Sequence, residues 1–376
     1  MSPGSHGASS SQRSVETLVA KLRRRQVVGS RETALETVLV LRQVVSKARF
    51  SNITQLVTLI RSVGKRLVEA QPKGAPIFEC APSLHAISLP YLEEYNTASK
   101  GTAAASTKPV YSISTFVLQG QPRKHTIGAQ KSEATITLKE DDPDDPDSFA
   151  RALKPVFMEA IQDVLDELET VYDNISKNAK DHIHSDEIIL TIGNSKTVES
   201  FLKGAGHYRN FTVIVAETGP SYGGHEMAQS LSSAGISTFL VPDSSIYAIM
   251  SRVNKVIIGA HAILANGGMF AITGSLLAAT AARVHSTPVV VCAGQFKLTP
   301  LWNLYHDYGA LDFADPSSVL GFEEGSLVDK VDVLNPYYDY VGPELVDVFI
   351  TNDGDHPPSS VYRLIKEAYD DEDYEL

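Results

Sequence analysis

Several short stretches carry residue types that could do chemistry. Residues 259–275, GAHAILANGGMFAITGS, form a glycine-punctuated turn that leaves the apolar run KVIIGA and leads into small residues able to open a helix. A turn of that kind normally cradles an anion on backbone N–H groups, and here Asn266, Gly267 and Gly268 shape its backbone. GNSKT, 193–197, puts Ser195 where a strand turns into a helix. The G-x-S-x-G spacing of a nucleophile elbow fails at Thr197, so Ser195 reads as a helix N-cap. HEMAQ, 225–229, is half of a zinc-binding H-E-x-x-H helix, with Gln229 where the second imidazole must stand. Glu226 then reads as a carboxylate near the positive end of a helix. Asp243, ahead of SSIYAIM, is an N-cap first and a ligand group second. Cys292 follows three valines and reads as a small core residue, because nothing adjacent would depress its pKa. KLRRR, 21–25, is either a solvated helix face or a basic surface for an acidic partner. No complete catalytic or metal motif is present.

The elements that must position these residues follow from periodicity. Leu35, Val38, Leu39 and Val45, then Ile53, Leu56, Val57, Ile60 and Leu67, recur at helical spacing, with Ser30 and Ser51 placed as N-caps. Residues 97–147, with TASKGTAAASTKP, the strand-like YSISTFVLQ and the acidic KEDDPDDPD, read as a flexible, solvated insertion. A long helix follows, with Pro155 near its first turn and Phe157, Ile161, Val164, Leu168, Val171 and Ile175 on one face. From residue 186 the runs EIILTI, FTVIVAE, ISTFLV, KVIIGA and PVVVCA alternate with helical segments, the pattern of strands buried on both faces of a parallel sheet. The expectation is an α/β protein: a disordered tail at 1–13, a helical domain at 14–180, a Rossmann-like doubly wound parallel-sheet domain at 181–369 and an acidic tail at 370–376. Ligands in such sheets sit beyond the carboxyl ends of the strands, at GNSKT, ETGPSYGGHE, PDSS, GAHAILANGG and AGQFK.

Composition narrows the function classes. The chain has 376 residues, 43% of them hydrophobic and 21% charged, enough for two domains with a sizeable core. A net charge of -12 argues against general nucleic-acid binding, which needs clustered Lys and Arg on phosphate. Cys80 and Cys292 are too few for a disulfide scaffold or a Cys-rich zinc site. No run of about 18 apolar residues is present, and MSPGSHGASSSQ lacks the apolar block of a signal peptide, so a cytosolic protein with no membrane partner is expected. The segment from Ser14 to Arg66 departs from the overall charge: eleven Lys and Arg stand against Glu16, Glu32 and Glu36.

LTIGNSKTVESFL, RVNKVIIGAHAILANGG, STPVVVCAGQFKL and NPYYDYVGPELVDVFITNDG, in that order, resemble the family that joins the regulatory subunits of eukaryotic translation initiation factor 2B to methylthioribose-1-phosphate and ribose-1,5-bisphosphate isomerases. HIHSDEIILTIGNSKTVESFL, GGHEMA and SRVNKVIIGA resemble its beta-subunit branch. The departures matter as much as the matches. The isomerases carry a catalytic cysteine in a T-H-C-N turn; here that turn is Thr191, Ile192, Gly193, Asn194. Their catalytic aspartate in G-A-D-R-I-A-A-N-G falls on His261. Their N-K-I-G-T segment falls on Ala271, Ile272, Thr273, Gly274 and Ser275. Moving protons between C1 and C2 of a sugar needs an acid and a base flanking those carbons and a cation or amide nest on the phosphate. Gly193 offers no acid and Ile272 no charge.

The resemblance therefore implies an enzyme-derived, non-catalytic regulatory subunit of the guanine-nucleotide exchange factor for initiation factor 2, with a vestigial pocket at Gly193, Asn194, His261, Asn266, Gly267 and Gly268. It implies the alpha, gamma, delta and epsilon subunits as partners and no cofactor or metal. Its α/β domains build the core, and its helical domain faces the alpha subunit of initiation factor 2, whose phosphorylation it helps sense. Arg23, Arg24 and Arg25 are the candidate contact. The alternatives are a sugar-phosphate isomerase with rearranged catalytic residues and a sugar-phosphate-binding paralogue of the alpha or delta type.

Overall fold

The computed structural model describes residues 5–27, 29–48, 53–70, 146–302 and 313–368. The expected insertion up to residue 145, Ser51 and the acidic tail lie outside the described residues. Three helices open the chain, α1 (Ser5–Arg23), α2 (Ser30–Lys47) and α3 (Ile53–Ala70). The long α4 (Pro146–Lys177) and the single turn α5 (Ala179–His182) lead into the sheet. Helices α6 (Lys196–Gly206), α7 (Gly223–Ser233), α8 (Ile246–Met250), α9 (Ser275–His285) and α10 (Val361–Ala368) alternate with strands.

Three local expectations are corrected. Helix α1 begins at Ser5, inside the stretch expected to be a disordered tail. Val15, Leu18, Val19 and Leu22 are buried, and once such a packed nucleus exists a helix propagates cheaply through Ala, Ser and Gln. Ser30 is the first residue of α2 and not its cap; Gly29 holds the cap position at φ 105°, where a Cβ would collide with the Glu32 carboxylate. Pro155 lies within α4, because Pro146 already occupies the first helical position.

The five expected strands form as β1 (Ile188–Ile192), β2 (Thr212–Ala216), β3 (Ser237–Val241), β4 (Lys255–Gly259) and, after the hairpin β5 (Ala262–Leu264) and β6 (Met269–Ile272), β7 (Val289–Cys292). Strands β8 (Leu298–Thr299), β9 (Tyr338–Val341), β10 (Val348–Ile350) and β11 (Asp355–His356) complete the set. The main sheet runs β3-β2-β1-β4-β7-β10-β11, parallel except for the last pair. That is a doubly wound order whose direction reverses between β1 and β4, the crevice where such sheets bind ligands.

Side chains alternate across this sheet. Ile189, Val213, Val215, Ile257, Val290 and Ile350 join one core with α1 to α4, α6 and α7. Leu190, Ile192, Val256, Ile258, Val289 and Phe349 join the other with α8, α9 and α10. Two differences from the sequence reading stand out. Strand β3 is an edge strand with Phe239 and Leu240 exposed, not a strand buried on both faces. The stretch after β4 is a β-hairpin in a second sheet, ordered β8-β5-β6-β9, and not a turn running directly into a helix.

One glycine sets the spacing of the sheet and its covering helix. A Cβ on Gly224, in the first turn of α7, would lie 2.0 Å from the Ala216 carbonyl oxygen at the end of β2. The obstacle is backbone, so it cannot rotate away. Gly224→Ala is expected to lower stability by about 3 kcal/mol in urea unfolding, despite the better helix propensity of alanine. A loss below about 0.5 kcal/mol would show that helix and strand are not in close contact.

Candidate functional site

A cleft of about 280 Å³ opens at the switch point between β1 and β4. Its floor comes from the strand ends, Ile192, Asn194, Ser195, Gly259, Ala260 and His261, and its opposite wall from Gly29, Ser30, Glu32 and Tyr172 of the helical half. Ile272, Lys297, Tyr337 and Tyr338 close the side. The cleft therefore exists only because the helical half is packed against the sheet.

The candidate residues from sequence are divided by the fold. Asn194 lines the cleft and donates from Nδ2 to the Glu226 carboxylate at 2.8 Å. His261 lines it as well, its ring stacked on Tyr338 at 4.3 Å between centroids. Gly193 has φ 67°, and a side chain there would press on Ile272, with Cβ 3.2 Å from two of its carbons. Asn266, Gly267 and Gly268 are not among the lining residues. They make the tip of the β5–β6 hairpin, where Asn266 accepts from the Gly268 N–H at 2.9 Å and donates to the Tyr340 hydroxyl at 2.8 Å. Gly267 faces the Pro358 backbone. Their conformation builds the second sheet and no anion cradle.

The helix that the opening stretch feeds, α9, already carries an anion of its own. The Asp339 carboxylate of β9 accepts from the N–H groups of Gly274 at 2.8 Å and Leu276 at 3.1 Å. Burial raises the Asp339 pKa, while those two hydrogen bonds oppose the rise. Asp243 behaves similarly. It does not cap its own helix, where Pro242 holds the cap position, but accepts from the N–H groups of Thr218 and Gly219 at 2.9 and 2.7 Å, fixing the loop after β2. Ser195 does occupy the N-cap position of α6, without a side-chain cap bond. Glu226 lies in the first turn of α7.

Across the cleft mouth, Glu32 accepts from Lys196 at 2.7 Å. Burial works to raise the Glu32 carboxyl, but the hydrogen bond and charge of Lys196, with a backbone bond and Arg31, outweigh it and hold the group below the usual range. Tyr172 beside it is pushed up to about 12 by burial and by the Glu32 charge, against the opposing charge of Arg31. Glu32 is the only carboxylate among the described lining residues, and it is committed to this clasp. No thiol is among them: Cys292 lies buried in the core, its pKa raised by desolvation.

The group that sequence reasoning missed is Lys297, one residue past the aromatic in AGQFK. It is only 5% exposed, yet it is one of the residues that line the cleft, and its amine donates to the Ala260 carbonyl at 2.7 Å, with the Phe296 ring 5.7 Å away. Burial lowers its pKa to about 8, partly offset by Cys292 and Glu32. The only signal in the sequence was a lysine set among apolar residues directly after a buried strand.

The basic cluster is also divided. Arg23 ends α1, and Arg23 and Arg24 are exposed. Arg25, at φ 50°, donates to the Phe313 carbonyl at 3.3 Å and lies 5.5 Å over the Tyr337 ring. Elsewhere in the segment Lys21 pairs with Glu36, Arg66 with Glu16, and Arg31 donates to the Leu168 carbonyl at 2.8 Å.

The depressed Lys297 pKa makes a stability prediction. Its folded value, about 8, lies below the unfolded value near 10.5, so the ammonium costs stability at pH 7 and that cost is relieved as pH rises through this window. The cost is on the order of 3 kcal/mol. Lys297→Met is expected to stabilise the chain by about 1–2 kcal/mol at pH 7, after the loss of the bond to Ala260, and the gain should shrink by pH 10. Urea unfolding of both proteins at the two pH values checks this. A gain that does not change with pH would contradict it.

Comparison with known proteins places this geometry. The model of the initiation factor 2 subunit family matches residues 26–358. Translation initiation factor eIF2B subunit beta of Schizosaccharomyces pombe is 40% identical over 383 residues, covering 96% of this chain and 96% of that protein. The crystal structure of the tetrameric eIF2B-beta2-delta2 complex from C. thermophilum contains a chain that superposes with a TM-score of 0.67 at 26% identity, covering 98% of this chain and 100% of that one. Ribose 1,5-bisphosphate isomerase of Pyrococcus furiosus is 30% identical over 220 residues, 58% of this chain and 68% of that protein.

Proposed function

The chain belongs to the initiation factor 2 subunit family, and from that membership we propose that it works as the beta subunit of initiation factor 2B, a regulatory and non-catalytic part of the guanine-nucleotide exchange factor for initiation factor 2. The single observation that carries this reading is full-length similarity to beta subunits, in contrast to the partial match to the isomerases. The cleft agrees with it. By the resemblance Gly193 and His261 fall at the thiol and carboxylate positions of the isomerases, and the one carboxylate among the described lining residues is tied to Lys196. An isomerase with rearranged catalytic residues has no comparable support.

Membership in a complex with a delta-type subunit is the first consequence, since the structural neighbour is solved in such a complex. The α/β half supplies exposed apolar side chains suited to a permanent interface, among them Phe239 and Leu240 on the edge strand and Tyr247 and Val284. The alpha, gamma and epsilon subunits complete the assembly in this reading. Initiation factor 2 meets the helical half through its alpha subunit, and phosphorylation of that subunit is sensed there. The assembly works in the cytosol. Among the described residues no helix is long and apolar enough to cross a membrane.

Within the basic cluster, Arg23 and Arg24 are the residues we assign to the partner contact, while Arg25 holds the end of the helical half to Phe313 and Tyr337. Exposed charges raise association rates more than they add affinity. Two measurements test the reading. Co-expressed with a delta-type subunit, the chain is expected to purify as a stable heteromer burying roughly 2,000 Å² or more. A chain that remains a monodisperse monomer beside that partner would overturn it. In the assembled complex, Arg23→Glu with Arg24→Glu is expected to weaken binding of initiation factor 2 about 3- to 10-fold and to flatten its salt dependence. Unchanged affinity and salt dependence in an intact complex would remove the cluster from the contact.

A further inference from the structure

The cleft holds an amine in an unusual state for a protein with no catalytic use for it. Lys297 sits behind the carboxyl ends of β4 and β7, 5% exposed, and its hydrogen-bond partner among the described residues is one neutral carbonyl, that of Ala260. No carboxylate among the described residues bonds it: Glu32 acts on it only through its charge and accepts its own hydrogen bond from Lys196. A buried ammonium without an anion is costly, which moves the balance toward the neutral amine although the ammonium remains the larger share at pH 7. A neutral amine can keep donating one N–H to Ala260 and still carry a free lone pair, and Lys297 is among the residues that line the cavity. The cavity is about 280 Å³, room for a small organic molecule. Lys196 at its mouth is paired with Glu32 at 2.7 Å, so the two lining charges offset each other there.

We infer that Lys297 is a nucleophilic amine, a reversible covalent docking point for a small aldehyde admitted through the cleft at the β1–β4 switch point. The Lys297 nitrogen adds to the carbonyl carbon, and the resulting carbinolamine loses water. The C=O bond gives way to C=N, and both amine protons leave with the carbonyl oxygen as that water. Nothing is oxidised or reduced. Uptake of a proton by the imine restores one N–H, which can return to the Ala260 carbonyl. Lysines activated by desolvation in an apolar pocket form imines in this way. The chemistry differs from proton transfer between sugar carbons and needs neither a thiol at 193 nor a carboxylate at 261.

The selectivity follows from protonation. At pH 7.5 an amine titrating near 8 is about one-quarter neutral, against roughly one part in a thousand for an ordinary lysine, an excess on the order of 200-fold. The titratable groups that line the same cleft are Glu32, Tyr172, Lys196, His261, Tyr337 and Tyr338, with Cys292 behind, and of these Glu32 and Cys292 act on Lys297 through their charge.

The test uses the full-length chain purified with its co-expressed partner, incubated with glyoxylate, trapped with borohydride and digested for peptide mapping. At low conversion, Lys297 is expected to carry at least about 10-fold more label than any exposed lysine. Its labelling should rise about 15-fold from pH 6.5 to 8 and then level off, while exposed lysines keep gaining to pH 9.5. An α-amino group titrates in the same range but maps to a different peptide. Lys297→Met, which is expected to fold, should abolish the preferred label and leave the others unchanged. Label spread according to exposure, with Lys297 at or below the average, would overturn the inference. So would a preferred label that survives Lys297→Met.

Discussion

Everything in this molecule depends on helix α4 burying one stripe of side chains against both α2 and α6. Phe157, Ile161, Leu165, Leu168, Val171 and Ile175 are buried along its length, in a cluster that also contains Leu41 and Val45 of α2 and Phe201 and Leu202 of α6. Each such side chain contributes about 1.5–3 kcal/mol by leaving water. One hydrophobic core therefore spans the helical half and one face of the sheet. With the two halves fused, Arg31 can reach the Leu168 carbonyl and lie 5.0 Å over the Tyr172 ring, and Glu32 can reach Lys196. The cleft wall is a by-product of that packing, so any change that loosened α4 would erase the cleft before it altered the strands.

The same scaffold explains how a fold shared with isomerases persists without their chemistry. The doubly wound order still brings two strand ends together at a crevice, because crossover handedness and core packing fix the topology whatever residues stand at the strand ends. Function lives in those few residues. Here the N-terminus of α9 is satisfied by Asp339, Asn194 is bonded to Glu226, and Glu32 to Lys196. The groups that could have met a substrate are turned on one another. Lys297 has its pKa lowered by burial, and a carbonyl is its one hydrogen-bond partner among the described residues.

Much of the architecture was legible in the sequence. The five Val/Ile runs became parallel strands, and the helical face from Phe157 to Ile175 became the central joint, because burial on two faces or along one stripe leaves a period that survives any detail of packing. What escaped notice is what depends on distant partners. The β5–β6 hairpin hid inside a glycine-rich run, because its pairing is completed by β9, seventy residues away in round terms, and short strands carry little pattern of their own. Asn266, Gly267 and Gly268 looked like an anion cradle because hairpin tips and anion nests draw on the same small, positive-φ residues. Asp339 and Lys297 were invisible as site residues for a similar reason: one is defined by a helix it caps and the other by the carbonyl and ring that surround it. Burial of a lone charge is a tertiary fact.

The central claim is that the cleft retains the isomerase architecture without the groups that move protons. Turnover of ribose 1,5-bisphosphate by the purified full-length chain, followed by product detection over a wide range of enzyme concentration, tests this most directly. The account predicts no conversion above the buffer rate, since neither an acid at position 193 nor a carboxylate at position 261 is available to the substrate carbons. Conversion that scales with protein concentration and disappears on His261→Ala would contradict it.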